Sequence, residues 1–407
     1  MQRIARLYVR VPEQCSGILE HAGQHVFAYD HAALGVADAA ISLTMPVRLP
    51  SYQSTPMLPA LQTFMPEGFI ADRIRERFGK TIKMNDMALL ALAAGDGIGR
   101  LRVSTERDYA PQTGAVQLKE LLADQGNRDL FADLCERYLF ASAVAGVQPK
   151  VLLSAERVDA DISRSSNDKM SLIDRATVRA AQYIAQYITK SGDGEFPDLA
   201  ANEFHCLSIA KNAGLEVPEF WLSEDQKRLV IERFDRQGGA VLGFEDMVSL
   251  QGKQNSDKYD GSIESVAKAI RLNASPAHVQ SSLAALFACV TLSVALRNGD
   301  AHLKNFGLLY TSPTSTDCRL SPVYDIVTTT LYLPGDRMAL SLAQDRGWPM
   351  DDALIKFARE VCAVRAPGDV LTRIAEAITD YAPTQAAAIW RRQKQALAPR
   401  FREVGAI

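Results

Sequence analysis

The stretch NGDAHLKNFGL, residues 298–308, is the most informative part of this sequence about its fold and chemistry. An apolar segment, residues 284–296, precedes it, and another, residues 306–310, overlaps its end and continues beyond it. Between them Asp300 and Asn305 stand five positions apart. The stretch is therefore a short polar loop, rich in groups that bind protons and cations, set between two elements that the chain buries.

A second carboxylate, Asp325 in the run PVYDI, follows the next apolar segment. Phosphoryl transfer needs such a set, because one carboxylate orients the attacking hydroxyl while an amide oxygen and another carboxylate hold Mg²⁺ at the phosphates. The catalytic loop of protein kinases has its Asp and Asn at the spacing of Asp300 and Asn305. Ordinary turns also gather Asp, Asn and His, whose side chains bond nearby backbone. The rest of the chain has to decide between the two interpretations.

Length and composition bound the class of protein. The 407 residues suit two or three packed units, and 47% apolar with 23% charged residues is typical of a soluble globular protein. A net charge of −3 gives no overall electrostatic footprint for nucleic acid. No apolar run reaches the roughly 18 residues of a membrane span, and the N-terminus lacks a signal-peptide core. We expect a cytoplasmic protein without membrane contact.

The cysteines stand singly, with no C-x-x-C pair, and most lie in apolar surroundings. Buried free thiols are therefore expected rather than disulfides or a zinc site. The six histidines show no ligand spacing either. The cysteines are Cys15, Cys135, Cys206, Cys289, Cys318 and Cys362.

The order of elements predicts three parts, residues 1–110, 111–238 and 239–407. The first reads as a small α+β unit, with strands at 6–11, 25–29 and 40–44 and helices at 69–78 and 87–94, the second of them capped by Asn85. The second combines helices at 116–123, 128–142 and 199–214 with strands at 149–153, 180–189 and 228–233. The third is mainly helical, with a buried central helix at 281–296 and amphipathic helices at 351–363, 367–380 and 383–403.

Candidate nucleotide contacts lie in the second part. Lys190 ends a strand and Glu203 lies on the next helix, which is the arrangement that holds ATP phosphates in kinases, although a solvated Lys and Glu would give the same pattern. A glycine-containing turn can cradle phosphates through its backbone amides, and it does not match a Walker P-loop. Its residues are Ala145, Gly146, Val147, Gln148 and Lys150.

The run LVIERFDR, residues 229–236, is an apolar strand that leads into a charged turn. Such a segment can join two lobes and offer backbone hydrogen bonds to an adenine ring, with Asp235 near a ribose hydroxyl. An edge strand followed by a turn accounts for the pattern equally well.

Two further side chains flank the opening pair. His302 could act as a base, but we expect it to support the loop and leave proton removal to Asp300. Lys304 could contact the transferred phosphate. A hairpin formed by strands at 306–310 and 320–324 would bring Asn305 and Asp325 to the same metal.

Taken in order, these segments resemble the HipA family of serine/threonine kinases, the toxins of HipBA-type toxin–antitoxin pairs. The resemblance covers nearly the whole chain and includes MPEG at 65–68, AGVQPK at 145–150, VIERFDR at 230–236, GDAHLKNF at 299–306 and PVYD at 322–325. It implies a two-lobed, protein-kinase-like α+β fold with a mixed α/β N-lobe and an all-helical C-lobe.

The resemblance also implies roles for individual residues. Asp300 would be the catalytic base, and Asn305 and Asp325 would bind Mg²⁺. Lys190 would bind phosphates, while the backbones of Glu232 and Phe234 would meet adenine. ATP and Mg²⁺ would suffice as cofactors. The protein substrate, in the best-known case of the family, is an aminoacyl-tRNA synthetase, and a small helix-turn-helix antitoxin, HipB-like, would carry any contact with DNA.

The chain departs from the family at a serine of the glycine-containing turn, whose self-phosphorylation inactivates many members. The positions expected for it hold Ala143 and Ala145, and Ser142 is out of register by one. We expect Ser142 to be phosphorylated weakly if at all. Two other functions stay open at this point. One is a regulatory protein that keeps the fold without catalysis, and the other is a kinase of small molecules without toxin activity.

Overall fold

A computed structural model describes residues 3–12, 14–95, 97–108, 115–117, 150–156, 181–187, 196–237 and 240–402. Its first unit is built on an antiparallel sheet whose strands alternate inward and outward side chains. In the first strand Leu7, Val9 and Val11 are buried while their neighbours face outward, the period-two pattern of a half-buried strand. The spatial order is β4-β3-β2-β1-β5. These strands are β1 Arg6–Val11, β2 Gln14–His21, β3 His25–Tyr29, β4 Tyr52–Ser54 and β5 Arg102–Ser104.

Three helices complete this unit: α1 Pro59–Gln62, α2 Gly68–Phe78 and α3 Asp86–Ala93. The Asn85 side chain caps α3 by accepting a hydrogen bond from the Ala88 N–H at 2.9 Å, as its position predicts. The predicted strand at 40–44 is wrong. The Leu43 N–H donates instead to the Glu245 carboxylate, in another part of the chain, so this backbone does not extend the sheet.

The second sheet has the order β6-β7-β8-β10-β9, and the helix α4 Leu199–Asn212 packs against β9 and β10. The predicted strands at 149–153, 180–189 and 228–233 are confirmed within a few residues. Val116 and Gln117 lie in a strand, so the helix predicted from 116 is wrong at its start, and the one at 128–142 lies outside the described residues. These strands are β6 Ala115–Gln117, β7 Lys150–Glu156, β8 Ala181–Tyr187, β9 Phe220–Leu222 and β10 Arg228–Glu232.

The remainder of the chain is mainly helical, and among the described residues its short strands form a two-stranded and a three-stranded antiparallel sheet. The prediction of several helices after residue 262 is confirmed, with shorter bounds near the end of the chain. The helices are α5 Met247–Leu250, α6 Ile263–Asn273, α7 Val279–Leu296, α8 Asp351–Glu360, α9 Pro367–Thr379 and α10 Ala387–Ala396. The strands are β11 Arg236–Gln237, β12 Ala240–Val241, β13 Gly243–Asp246, β14 Gly307–Tyr310 and β15 Arg319–Leu320.

Helix α7 is the central helix of this lobe, as the apolar segment 281–296 predicts. Among the described residues it is the one helix long and apolar enough to cross a membrane by length and composition, but 67% of its most apolar window is buried inside the protein. One apolar cluster joins Leu292 of α7 to Leu207 of α4 and Ile374 of α9. This shared core fixes the sheet-bearing lobe on the helical lobe, and the loop that follows α7 emerges where the two meet.

Candidate active site

The loop after α7 begins with a tight helix ending. Arg297 adopts the left-handed conformation (φ 56°), the Asn298 N–H donates to the Ser293 carbonyl at 2.8 Å, and the Arg297 N–H donates to the Val294 carbonyl at 3.3 Å. This pair of bonds is the Schellman motif, which satisfies the last helical carbonyls and turns the chain sharply. The turn delivers Gly299 and Asp300 to the junction of the lobes.

Gly299 is required by a close approach. Its N–H donates to the Thr329 hydroxyl at 2.8 Å, and a Cβ at this position would overlap the Asp336 carboxylate and the Arg337 carbonyl oxygen. The loop is therefore packed directly on residues 329–337, which leaves little freedom for the residue that follows.

Asp300 and His302 both lie against one tyrosine that the sequence analysis did not single out. The Tyr259 hydroxyl donates to Asp300 Oδ1 at 2.9 Å, and its ring meets the His302 imidazole at 5.1 Å between centroids. Burial and the nearby Lys258 ammonium lower the pKa of His302 to about 4. The imidazole is therefore neutral at pH 7.

Lys304 is buried and enclosed by acceptors from two other parts of the chain. Its Nζ lies 2.8 Å from Glu67 Oε1 and 2.7 Å from Asn255 Oδ1. Lys258 Nζ binds the other oxygen of Glu67 at 3.1 Å. Burial opposes ionisation of Glu67, but Lys304 and Lys258 outweigh it and lower its pKa. The ammonium of Lys304 thus contacts the N-terminal unit, a partnership that the sequence analysis did not foresee.

The hairpin of β14 and β15 brings two further candidates together. Asn305 Nδ2 donates to Asp325 Oδ2 at 3.2 Å, as the hairpin argument predicts, and Asn305 Oδ1 accepts from the His302 N–H at 2.9 Å. Asp325 has a positive φ of 56°, a strained conformation for a residue with a side chain. The second lone pair of Asn305 Oδ1 and the Asp325 carboxylate are the oxygens that could bind Mg²⁺, which prefers oxygen ligands and commonly takes only one or two carboxylates beside phosphates.

Several candidate nucleotide contacts lie outside the described residues. Glu203 is fully buried on α4, but Lys190, its predicted partner, cannot be placed beside it. Lys150 begins β7, where its backbone pairs with Gln186. The Lys190–Glu203 pair therefore stays a prediction. The other residues outside the described ranges are Ser142, Ala143, Ala145, Gly146, Val147 and Gln148.

The predicted hinge starts as expected. Strand β10 ends at Glu232, whose N–H donates to the Glu219 carbonyl at 2.8 Å. The ring of Phe234 is buried, with centroids 5.5 Å from Phe244 and 5.3 Å from Tyr324. The contacts of Glu232 and Phe234 with adenine stay predictions.

Asp235 requires a correction. Its carboxylate is fully buried, where it accepts from Arg233 Nη2, Arg236 Nη1 and the Gly99 N–H, each at 2.7 Å. Burial opposes ionisation, but Arg233 and Arg236 outweigh it and lower the pKa of Asp235 to about 2. The carboxylate is turned into the junction with residues 97–99, away from any surface that a ribose could reach. The carboxylate oxygens instead accept hydrogen bonds from two arginines and from the backbone of a glycine-containing loop.

Sequence comparisons agree with this architecture. The family model described as the HipA-like C-terminal domain matches residues 142–390, and that of the HipA N-terminal domain matches residues 7–104. Y4dM of Sinorhizobium fredii, a predicted kinase, is 28% identical over 221 residues, which cover 50% of this chain and 52% of the relative. A predicted kinase of Haemophilus influenzae is 30% identical over 166 residues, 36% of this chain and 46% of the relative. The chain thus spans about half the length of these two relatives.

The fold is also found in a solved structure. The HipA protein of Shewanella oneidensis, in a complex of toxin HipA with HipB and operator DNA, superposes with a TM-score of 0.65 over 96% of both chains, at 18% identity. At this identity the likeness establishes the fold alone. Because the family model of the C-terminal domain covers more than half of the sequence, the chain belongs to the HipA family.

Proposed function

We propose that this chain is an ATP- and Mg²⁺-dependent kinase that phosphorylates a serine or threonine of a protein. The observation that carries the proposal is the pairing of Asn305 with Asp325 at 3.2 Å, on the hairpin that continues directly from Asp300. A base and two oxygen ligands on one loop and its hairpin are what phosphoryl transfer requires.

Each residue of this set has one task in the proposal. Asp300 accepts the proton of the acceptor hydroxyl as that hydroxyl attacks the γ-phosphate of ATP. The bond from the γ-phosphorus to the β–γ bridging oxygen breaks, and ADP is the leaving group. The Asn305 amide oxygen and the Asp325 carboxylate hold Mg²⁺, which when bound neutralises charge on the phosphates. The His302 N–H fixes the amide of Asn305, and neutral His302 packs beside Tyr259. Lys304 pairs with Glu67 and thereby supports the loop that carries Asp300 and Asn305.

The nucleotide contacts are proposals from the sequence. The turn at 145–150 cradles the phosphates, Lys190 binds them while paired with Glu203, and the backbones of Glu232 and Phe234 meet adenine. The full burial of Glu203 supports a cationic partner, because a carboxylate is costly to bury alone. The division into units 1–110, 111–238 and 239–407 belongs to the same proposal.

We further propose a toxin of a toxin–antitoxin pair that acts in the cytoplasm on a component of translation, such as an aminoacyl-tRNA synthetase. The S. oneidensis complex, which contains HipB and operator DNA, supports a HipB-like helix-turn-helix partner. A net charge of −3 favours contact with DNA through that partner rather than directly.

The substitution Asp300→Asn tests the proposal. It should abolish transfer of ³²P from γ-labelled ATP to dephosphorylated casein and leave the melting temperature unchanged, because the amide keeps the volume and loses the base. Asp352→Asn, at an exposed position of α8, is the matched control and should keep wild-type activity.

Retained transfer in the Asp300→Asn variant would refute the assignment. Wild-type protein that binds Mg·ATP but phosphorylates neither casein nor itself would favour the regulatory alternative. Transfer to a sugar or an antibiotic and to no protein would favour the kinase of small molecules.

A further inference from the structure

We propose that Tyr259 is a positioning residue that holds the carboxylate of Asp300 in the orientation needed to receive the proton of the acceptor hydroxyl. The inference deepens the proposed function and rests on it, because it assumes that Asp300 is the base. Nothing in the spacing of the sequence motifs singles out Tyr259, which lies 41 residues before its partner.

The contact itself is an ordinary hydrogen bond by distance, and its acceptor is charged. The Tyr259 hydroxyl lies 2.9 Å from Asp300 Oδ1, and a hydrogen bond to a charged acceptor is about twice as strong as a neutral one. Burial, followed by the Asp300 carboxylate, raises the pKa of Tyr259. The phenol therefore keeps its proton at neutral pH, and it acts as the donor.

Hydrogen bonds to two consecutive carbonyls hold the backbone at Tyr259. Arg346 Nη2 donates to the Tyr259 carbonyl at 2.6 Å, and the Leu303 N–H donates to the carbonyl of Lys258 at 3.0 Å. Lys258 Nζ is fixed in turn on Glu67 at 3.1 Å. The backbone of segment 254–260 is thus fastened to the loop that carries Asp300, and 40% of Tyr259 is exposed.

The same segment is anchored to the N-terminal unit. The Asn255 side chain donates to the Gln62 carbonyl at 3.1 Å and accepts from Lys304 Nζ at 2.7 Å. Its short 3-10 turn, Asn255–Asp257, is closed by the Gln254 N–H, which donates to the Asp257 carboxylate at 3.0 Å. The backbone segment that carries Tyr259 is therefore anchored by two units of the fold at once.

A fixed donor matters because the terminal torsion of an aspartate is soft and roughly two-fold. A hydrogen bond on Oδ1 selects one orientation of the carboxylate plane for Asp300. A misplacement of about 1 Å in a reacting group can lower the rate by about 100-fold. The loss of the single hydrogen bond from Tyr259 should therefore lower the rate by less than that factor.

The test is Tyr259→Phe, which removes only the hydroxyl and keeps the ring that packs on His302. Transfer of ³²P from γ-labelled ATP to dephosphorylated casein should show kcat lower by about tenfold, a part of the positioning factor. The KM for ATP and the melting temperature should stay at wild-type values. The matched control is Tyr52→Phe, because the Tyr52 hydroxyl donates to the Pro46 carbonyl at 2.7 Å in the first unit, and this variant should keep wild-type kcat.

Each other result overturns the proposal. Wild-type kcat in Tyr259→Phe would mean that the hydroxyl does not position the base. A higher kcat would mean that it competes with the acceptor, and ³²P found on Tyr259 of the wild-type protein would make it an acceptor itself. A fall in kcat that parallels a fall in melting temperature would indicate a structural role. Failure of the proposed function is distinguishable, since the wild-type protein would then transfer no phosphate at all.

Discussion

At the scale of single residues, Glu67 is the carboxylate on which two lysines of the helical lobe converge. The exposed fraction of its side chain is 16%, against 2% for Lys304 and 9% for Lys258. A buried ion pair adds little net stability over an apolar replacement, but removal of one partner is costly because the other charge stays buried. The contribution of Glu67 is therefore best seen when it alone is neutralised.

Glu67→Gln should lower the free energy of unfolding by about 3 kcal/mol, because Lys258 loses its carboxylate partner and Lys304 keeps, among the described residues, only the carboxylate of Asp246, whose Oδ2 lies 4.0 Å from the Lys304 Nζ. Urea titrations at pH 7 measure the change. Glu360→Gln, at the exposed end of α8, is the control and should alter stability by less than about 0.5 kcal/mol. Equal effects of the two substitutions would show that the cluster around Glu67 contributes nothing.

The sequence predicts the local part of this site and misses the distant part. Asp300 and Asn305 share one short loop, so their spacing is readable, and Asp325 follows on the same hairpin. Glu67 lies 237 residues from Lys304, and Tyr259 lies on a separate segment before α6. Spacing reports only neighbours along the chain, so it carries no signal for partners that tertiary packing brings in.

At the scale of elements, His205 fixes helix α4 to the segment between α9 and α10. His205 is fully buried, its Nε2–H donates to the Ala386 carbonyl at 3.2 Å, and its Nδ1 accepts from the Tyr381 hydroxyl at 2.9 Å. Because a carbonyl can only accept, these partners define a neutral tautomer. Burial lowers the pKa of His205 to about 4.

This shift predicts an acid-sensitive contact. The unfolded chain takes up a proton at His205 below pH of about 6.5, whereas the native state does so only near 4. The contribution of neutral His205 to the free energy of unfolding is therefore fully present above about pH 6.5 and is lost as pH falls towards 4. At pH 5 the loss is about 2 kcal/mol. Between pH 7 and pH 5, urea unfolding should show a smaller decrease in the free energy of unfolding for His205→Gln than for the wild type. The difference between the two decreases should be about 2 kcal/mol.

His31→Gln is the matched control for this experiment. His31 is exposed, so this variant should keep the pH dependence of the wild-type protein. An identical loss in His205→Gln and His31→Gln would contradict the assignment of the acid-sensitive step to α4.

Elements with a clear period are predicted from the sequence, and those shaped by distant contacts are not. Helices α4 and α7 follow from apolar spacing and end near their expected residues. Strand β2 was missed because Ser16 and Gly17 weaken its β-propensity. The glycine is needed there, since a Cβ would overlap the Ala28 carbonyl of the neighbouring strand.

At the scale of the whole molecule, the N-terminal unit has an apolar core of its own and is joined to the lobes by buried polar contacts. Its core cluster draws only on residues 4–103. Glu245 accepts from the Ser42 hydroxyl at 2.5 Å and from the Leu43 N–H at 2.7 Å. Arg233 Nη2 donates to the Gly97 carbonyl at 2.8 Å. Such a junction cannot be read from a sequence, because hydropathy patterns mark cores and not the polar groups that couple them.

Asp235 is the central acceptor of this junction, which sets the last prediction. Asp235→Asn leaves buried Arg233 and half-buried Arg236 beside a neutral partner, at a cost of about 3 kcal/mol. Asp235 also accepts from the Gly99 N–H and orients Arg233 towards the Gly97 carbonyl, so part of this cost falls on the contact between units. Calorimetry should therefore resolve two transitions in the variant and one in the wild type, with the N-terminal unit melting first. ADP affinity, measured below the first transition, should not change, because the carboxylate faces residues 97–99 and no ribose.

Asp225→Asn is the control that separates coupling from general destabilisation. Asp225 pairs with Arg228 at 3.3 Å inside the second sheet's own hairpin, with 10% and 5% of the two side chains exposed. Its loss should lower the melting temperature while the single transition persists, since both partners belong to one unit. A single transition in Asp235→Asn would show that the units are coupled chiefly through other contacts. A loss of ADP affinity in that variant alone would instead return Asp235 to the nucleotide site, because destabilisation without a direct contact would not weaken ADP binding below the first transition.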